Sequence, residues 1–235
     1  MTPNSHSSDY ARTLEWDRAL STIPHRLQSP VSAIRIYARL LRKSAPAGDE
    51  DFFNGVAGIE ASALELNRVI HTLSQARAVA LDALDVYKEE TDVGKVVYDC
   101  VDEMRAQLDD RNLEVTVADD ITAEIDRLLV REILEAIIEN AGRFSSTKTP
   151  IEVVVEQAGD YVEILVVDRG TGIPPDRRED VFEPFVKLDP NRSGLGLGLY
   201  VARGASRAQE GDLTVDEPAG GGSRFSLTVP RRQRL

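Results

Sequence analysis

A single cysteine, Cys100, excludes an intramolecular disulfide and fits a reducing, cytoplasmic setting. It lies in line with Val93, Val97 and Met104, which marks it as a buried core thiol. No stretch approaches the roughly 18 consecutive apolar residues that a membrane span needs. Met1 to Asp9 is polar and has no apolar centre, so it does not read as a secretory signal. Basic residues are in short supply: 28 Lys and Arg stand against 40 Asp and Glu, a net charge of −12 that argues against generic nucleic-acid binding. The phosphate-loop pattern G-x-x-x-x-G-K-[ST] is absent. So is G-x-G-x-x-G followed by an acid about 20 residues on, and both common nucleotide folds are thereby excluded. There is no internal repeat and no low-complexity tract. What remains is ordinary folded-protein composition, 42% hydrophobic and 29% charged, in a chain of 235 residues, enough for one large or two small domains.

After a flexible arm, residues 1–9, residues 10–84 are almost continuously helix-compatible. Leu20, Leu27, Ile34 and Leu41 recur every seven residues, with Val31 and Ala38 at the intermediate step. Ser44 to Asp49 reads as a turn. A second run follows: Phe52, Val56, Ile59, Ala63, Leu66, Ile70, Leu73, Ala80 and Leu84 keep the 3–4 spacing, interrupted at Arg77. Two long helices with one narrow apolar seam each predict an antiparallel hairpin. Such a pair leaves seam surface uncovered, and a second copy completing a four-helix bundle would bury it. The alternative is a monomer whose hairpin packs on the rest of the chain.

Residues 85–92 read as a polar linker. Residues 93–230 then alternate: helix 93–108, strand 113–117, helix 126–144, strands 151–156 and 161–167 around the turn Ala158-Gly159-Asp160, and strands 213–216 and 223–229 joined through Gly220-Gly221-Gly222. The order does not repeat as regular βαβ units. It predicts an α+β chain whose second domain is an α/β sandwich with helices on one face of a mixed sheet. Residues 231–235 read as a solvated tail.

Two glycine segments carry the chemistry. The first, Asp168-Arg169-Gly170-Thr171-Gly172-Ile173-Pro174, follows a strand and begins with an isolated acid. The second, Ser193-Gly194-Leu195-Gly196-Leu197-Gly198-Leu199, opens a helical stretch to Arg207. A glycine loop feeding a helix N-terminus favours phosphate, because free N–H groups and the helix dipole both attract anions. A lone carboxylate beside it can accept from the exocyclic amine of a base. Two tight turns in an α+β domain are the alternative for either segment alone. On the helix 126–144, Glu135, Asn140 and Arg143 are polar on an otherwise apolar element. Asn140 can hold Mg²⁺ through its carbonyl oxygen and Arg143 can contact phosphate; a surface-facing amide is the alternative.

In order, an Asn-bearing helix, Asp168-x-Gly170-x-Gly172, Phe182-Glu183-Pro184-Phe185 and Gly194-x-Gly196-x-Gly198 resemble the N, G1, F and G2 boxes of the ATP-binding domain of two-component sensor histidine kinases. Ser223-Arg224-Phe225 resembles that family's final strand motif, and the likeness covers residues 93–230. It implies that Asp168 accepts from the adenine amine, that Gly170 and Gly172 let the backbone pass the base, that Asn140 ligates Mg²⁺ and that Arg143 contacts phosphate. Val186 to Ser193 would be a lid over the triphosphate, closed by Gly194, Gly196 and Gly198, with Leu199 at the helix start. Many family members carry a second Asn four residues before Asn140, and gyrase-like hydrolases a Glu. Here Ala136 stands there, which argues against hydrolysis by that route.

Pro24-His25-Arg26-Leu27-Gln28-Ser29-Pro30-Val31 resembles the phosphoacceptor box of the same family, a His followed five residues later by Pro. His25 lies off the Leu20/Leu27/Ile34 seam and is the expected acceptor. Ser29 takes the position that the family links to phosphatase activity, and its hydroxyl can orient water. Arg26 departs from the pattern, because the family usually has an acid there to orient the ring and take its proton, and arginine can do neither. From Arg18 to Lys43 the first helix carries Arg18, Arg26, Arg35, Arg39, Arg42 and Lys43 and no acid, a face suited to the acidic pocket of a response-regulator receiver domain. A solvated Arg-rich face is the alternative.

These features predict a homodimeric kinase using ATP and Mg²⁺ that phosphorylates His25 and passes the phosphoryl group to a response-regulator Asp. The alternative is a degenerate, ATP-binding scaffold or regulator phosphatase; an anti-sigma-type serine kinase is a third reading. Too few residues precede His25 for a sensory domain, so the expected signal arrives in trans or from a longer sensor.

Overall fold

A computed structural model describes residues 31–32, 34–43, 50–108, 111–118, 121–190 and 194–231. They fall into two compact units divided between Leu81 and Asp82. His25, Arg26, Ser29 and the end of the expected lid lie outside the described residues.

In the first unit, helical residues 34–43 (α1) run antiparallel to α2, Glu50–Ala80. Val31 packs with Ala63 and Ile70, and Arg42 reaches Glu60 at 3.1 Å, which fixes the opposed directions. The buried residues are Val31, Ala38, Val56, Ala63, Ile70 and Ala76. Ile34 and Leu41, expected in the seam, are instead 43% and 47% exposed, as are Ile59 at 43% and Leu66 at 36%. The two helices meet along the small-residue stripe, because Val and Ala let backbones approach, and the larger stripe beside it faces outward.

The second unit is two-layered. Its elements are β1 (Glu89–Asp92), α3 (Val93–Gln107), β2 (Leu113–Val117), β3 (Thr122–Ile125), α4 (Arg127–Phe144), β4 (Ile151–Ala158), β5 (Tyr161–Asp168), α5 (Gly198–Ala208), β6 (Asp212–Asp216) and β7 (Ser223–Pro230). The five-stranded sheet has the order β2-β4-β5-β7-β6; β2 pairs parallel with β4 and every other pair is antiparallel. The sheet is therefore mixed, as the sequence predicts. Its strands alternate, with Val153, Val155, Val162, Ile164, Val166, Leu227 and Val229 buried at 1% or less against Ile133, Leu134, Ile137 and Ile138 of α4. Each such aliphatic side chain removed from water stabilises the fold by about 1.5–3 kcal/mol before entropy is counted.

Three elements of this unit depart from expectation, among them β3, a strand between residues 117 and 126 that the alternation did not mark. The last residues of the linker form β1, paired antiparallel with β3, which periodicity did not reveal. Helix 126–144 begins one residue later, because Asp126 is its cap: Oδ1 accepts from the Leu128 and Leu129 N–H groups. The other carboxylate oxygen accepts from Tyr87 N–H at 2.9 Å, so the chain leading into β1 is tied to the start of α4. Cys100 is wholly buried, and that burial, with Glu135 and Glu103 nearby, pushes its thiol up to about 12. It is the inert core thiol that its position implies.

Candidate functional site

The strand register builds the site. β5 ends at Asp168, and β7 begins opposite it at Ser223. Asp168 is only 2% exposed. Its Oδ1 accepts from Gly170 N–H at 2.7 Å, and the backbone and hydroxyl of Ser223 donate to it as well. Burial raises the carboxyl above the ordinary aspartate value, and those donors and the charge of Arg111 only partly offset it. A buried acid held off its ordinary value at a strand end, beside glycine turns, suits recognition of a polar ligand better than it suits packing.

Gly170 is required by close approach. A Cβ there would stand 2.3 Å from the Phe144 carbonyl oxygen at the end of α4. The first glycine segment thus lies against the last turn of the helix that carries Asn140 and Arg143. Gly172 faces the Gly222 carbonyl of the β6–β7 turn, and Gly222 in turn packs on the Asp168 carbonyl. Asn140 is half-buried about one turn before the end of α4. Arg143 is exposed and comes to the second glycine segment, where a Cβ on Gly194 would meet its Nη1 at 3.3 Å.

The second segment is braced by the Phe182–Phe185 box. Phe185 N–H donates to the Gly196 carbonyl at 2.8 Å. Gly196 has φ +70°, and a Cβ would lie 2.8 Å from the Phe185 carbonyl carbon and the Val186 oxygen. Gly196→Ala is therefore expected to break this clasp and destabilise the unit by about 1–3 kcal/mol, from the left-handed backbone and the clash together; thermal unfolding checks it. Phe182 is buried beneath Arg203, whose guanidinium carbon is 4.6 Å from the ring centroid. Arg203 also pairs with Glu179 at 2.7 Å and Asp212 at 3.0 Å, holding the box to α5 and β6.

Gly198 opens α5 in open space, and no side chain caps this helix. Its first N–H groups therefore remain available to an anion. Leu199 is half-buried against the core and anchors the turn. Asp168 and the glycines thus gather around two places, the Asp168 turn and the Gly194–Gly198 turn, with Phe144 and Arg143 of α4 reaching them and Asn140 standing earlier on the same helix. His25 and Ser29 lie outside the described residues. Among the described residues, no cluster of three or more His, Cys, Asp or Glu side chains forms a metal site. Sequence reasoning missed the braces: Arg111, Arg203 and the Gly222 contact carry no motif.

Residues 125–233 match the family described as histidine kinase-, DNA gyrase B- and HSP90-like ATPase. The chain is 28% identical to the methanogenesis regulatory histidine kinase FilI of Methanothrix harundinacea over 94% of its own length and 25% of the relative's. It is 29% identical to the sensor-like histidine kinase SenX3 of Mycobacterium tuberculosis, over 95% of this chain and 56% of that one. This chain thus spans between a quarter and little more than half of the relatives it matches. Among solved structures, full-length ShkA in complex with AMPPNP superposes with a TM-score of 0.77 at 24% identity, covering 91% of this chain and 45% of that one. The mycobacterial sensor histidine kinase MprB superposes at 0.56 with 27% identity, covering 63% of this chain and 100% of that one.

Proposed function

We propose a function from one premise: the chain belongs to the two-component sensor histidine kinases, and residues 125–233 are an ATP-binding domain of their kind. ATP seated at Asp168 donates its γ-phosphoryl group to His25, and the group passes on to an aspartate of a response regulator. The observation that carries this reading is Asp168 itself, a buried carboxylate with Gly170 and Ser223 turned toward it, suited to accept from an adenine amine. In the phosphoryl step the lone pair of a neutral imidazole nitrogen forms an N–P bond as the bond from phosphorus to the ADP oxygen breaks. The ring N–H proton then leaves to solvent or a base.

Asn140 would hold Mg²⁺ by its amide oxygen, and Arg143 and the open N-terminus of α5 would take phosphate. One amide without a carboxylate cluster fits an ion that draws most of its ligands from phosphates and water. That ion would neutralise charge on the transferring group. Gly194, Gly196 and Gly198 would shape the phosphate turn, and Gly172 the path past the base.

The exposed stripe of Ile34, Leu41, Ile59 and Leu66 supports a homodimer through the hairpin. Arg35, Arg39, Arg42 and Lys43 supply a basic face for an acidic receiver domain. No helix among the described residues is long and apolar enough to cross a membrane. A cytoplasmic place of action belongs to the same proposal and rests on the single cysteine.

Incubation with γ-labelled ATP tests the reading: acid-labile, base-stable label on the protein is expected, and acid-stable label would point to a hydroxyl acceptor and overturn it. Arg26 favours a second reading, a slow kinase or ATP-binding scaffold, because a lost catalytic base typically costs about 10²–10⁴-fold. Arg26→Glu is expected to raise the labelling rate by about tenfold or more. An unchanged rate would show that Arg26 is not the restraint.

A further inference from the structure

Arg111 stands in the turn between α3 and β2, where it is only 7% exposed. Its own backbone is fixed: Arg111 N–H donates to the Leu108 carbonyl, and the next residue's carbonyl accepts from Ile151 N–H at the start of β4. From there the guanidinium reaches residues more than thirty positions away. Nη1 donates to the Gly142 carbonyl at 2.9 Å and to the Ser145 carbonyl at 3.3 Å. Nη2 donates to Ser145 Oγ at 2.6 Å, the Ser146 carbonyl at 2.5 Å and, more weakly, the Thr149 carbonyl at 3.5 Å.

The Gly142 carbonyl is one that the end of a helix leaves without an intrahelical partner, and the Ser145, Ser146 and Thr149 acceptors lie in the cap and the turn just beyond it. A cation there also meets the negative end of the α4 dipole. A planar fork can serve several carbonyls at once, whereas an ammonium on a flexible stem cannot hold the same set.

What this end of α4 holds matters. Phe144, between the bonded Gly142 and Ser145, presents its carbonyl to Gly170 so closely that no side chain fits there. Gly170 N–H in turn donates to Asp168 at 2.7 Å. The Arg111 charge also reaches Asp168 directly, opposing the larger effect of burial on that carboxyl.

We infer that Arg111 is a positioning residue for the nucleotide site: it fastens the end of α4 and, through the Phe144 carbonyl, fixes where Gly170 and Asp168 stand. This rests on Asp168 being the nucleotide site. Arg111 touches neither base nor phosphate in this account. It acts by removing freedom from the wall that Gly170 leans on, and small misplacements of a binding wall carry large penalties.

The test is titration of the full chain with a fluorescent ATP analogue, together with thermal melting and the ATP dependence of labelling. Arg111→Gln is expected to weaken binding roughly tenfold and to raise the KM for ATP far more than it lowers the saturating rate. Arg111→Lys should recover only part of the loss. Val97→Ala, a core truncation on α3, supplies a destabilised comparison, since Val97 is wholly buried in the apolar core of the same unit.

Binding lost in Arg111→Gln but kept in Val97→Ala supports the inference. Wild-type affinity in Arg111→Gln, or equal losses in the two variants at equal loss of melting temperature, overturns it. Should Arg111→Gln fail to fold, Ser145→Ala decides, because it removes one acceptor of the guanidinium, together with the hydroxyl's own bond to the Ala141 carbonyl, and leaves the other acceptors in place: a severalfold fall in affinity supports the inference and an unchanged affinity overturns it. A wild-type chain that does not bind the analogue removes the nucleotide reading itself, and this one with it; binding by wild type and Arg111→Gln alike removes this one alone.

Discussion

His25→Gln is expected to abolish acid-labile labelling from γ-labelled ATP, a fall of at least about 10³-fold, as removal of a nucleophile does elsewhere. Glutamine keeps the size and polarity of the side chain, but its amide nitrogen has no lone pair free to attack phosphorus. The variant should still bind the ATP analogue within about twofold of wild type, because ATP binding is read from residues 140–199 and not from the hairpin. That pairing, binding kept and label lost, separates a phosphoacceptor from a residue that merely supports folding. The chain has two other histidines, His6 and His71, and neither lies in a comparable motif. Acid-labile label persisting in His25→Gln would move the acceptor to one of them. Absence of label in both wild type and variant, with ATP bound, would instead favour the scaffold reading that Arg26 raises.

Much of this was legible in the residues, and the parts that were not share a cause. The β4–β5 hairpin was clear because its alternation is strong and Gly159, with φ +64°, turns it. The order of the glycine segments around Phe182–Phe185 led to the ATP-binding domain because each motif needs its residues for a local reason. β1 was not visible: Glu89-Glu90-Thr91-Asp92 has no apolar alternation, and it forms a strand only because β3 offers a backbone partner. The hairpin seam was half legible. Periodicity puts Val31, Ile34, Ala38 and Leu41 in one seam, yet which of them faces α2 depends on how closely two backbones can approach, and Val31 and Ala38 are buried while Ile34 and Leu41 are exposed. Arg111 was invisible for a different reason. Its acceptors lie at residues 142–149, and no pattern around position 111 announces them.

Asp168→Ala is expected to lower ATP affinity by about 100-fold or more while leaving the melting temperature within about 5 °C of wild type. A hydrogen bond to a charged group contributes about 1.5–3 kcal/mol, or roughly 10–150-fold in affinity, and the variant also loses the acceptor that orders Gly170. Stability should respond differently. Burial raises the Asp168 carboxyl, so the folded chain holds that proton more tightly than the unfolded one. With the folded value above the unfolded one, stability falls as pH rises from the ordinary aspartate value through the raised one, and at neutral pH the ionised group opposes folding. Removing it relieves that burden even as it frees three donors, the Gly170 and Ser223 N–H groups and the Ser223 hydroxyl. Asp168→Asn sharpens the result. Its amide presents a donor where the carboxylate has only acceptors, so it should bind ATP nearly as poorly as the alanine variant. Guanine carries a carbonyl where adenine carries its amine, and an acceptor facing Asp168 is repelled in the wild type. The asparagine variant should therefore narrow the preference for ATP over GTP. Wild-type nucleotide preference in Asp168→Asn, with affinity unchanged, would show that the base is read elsewhere.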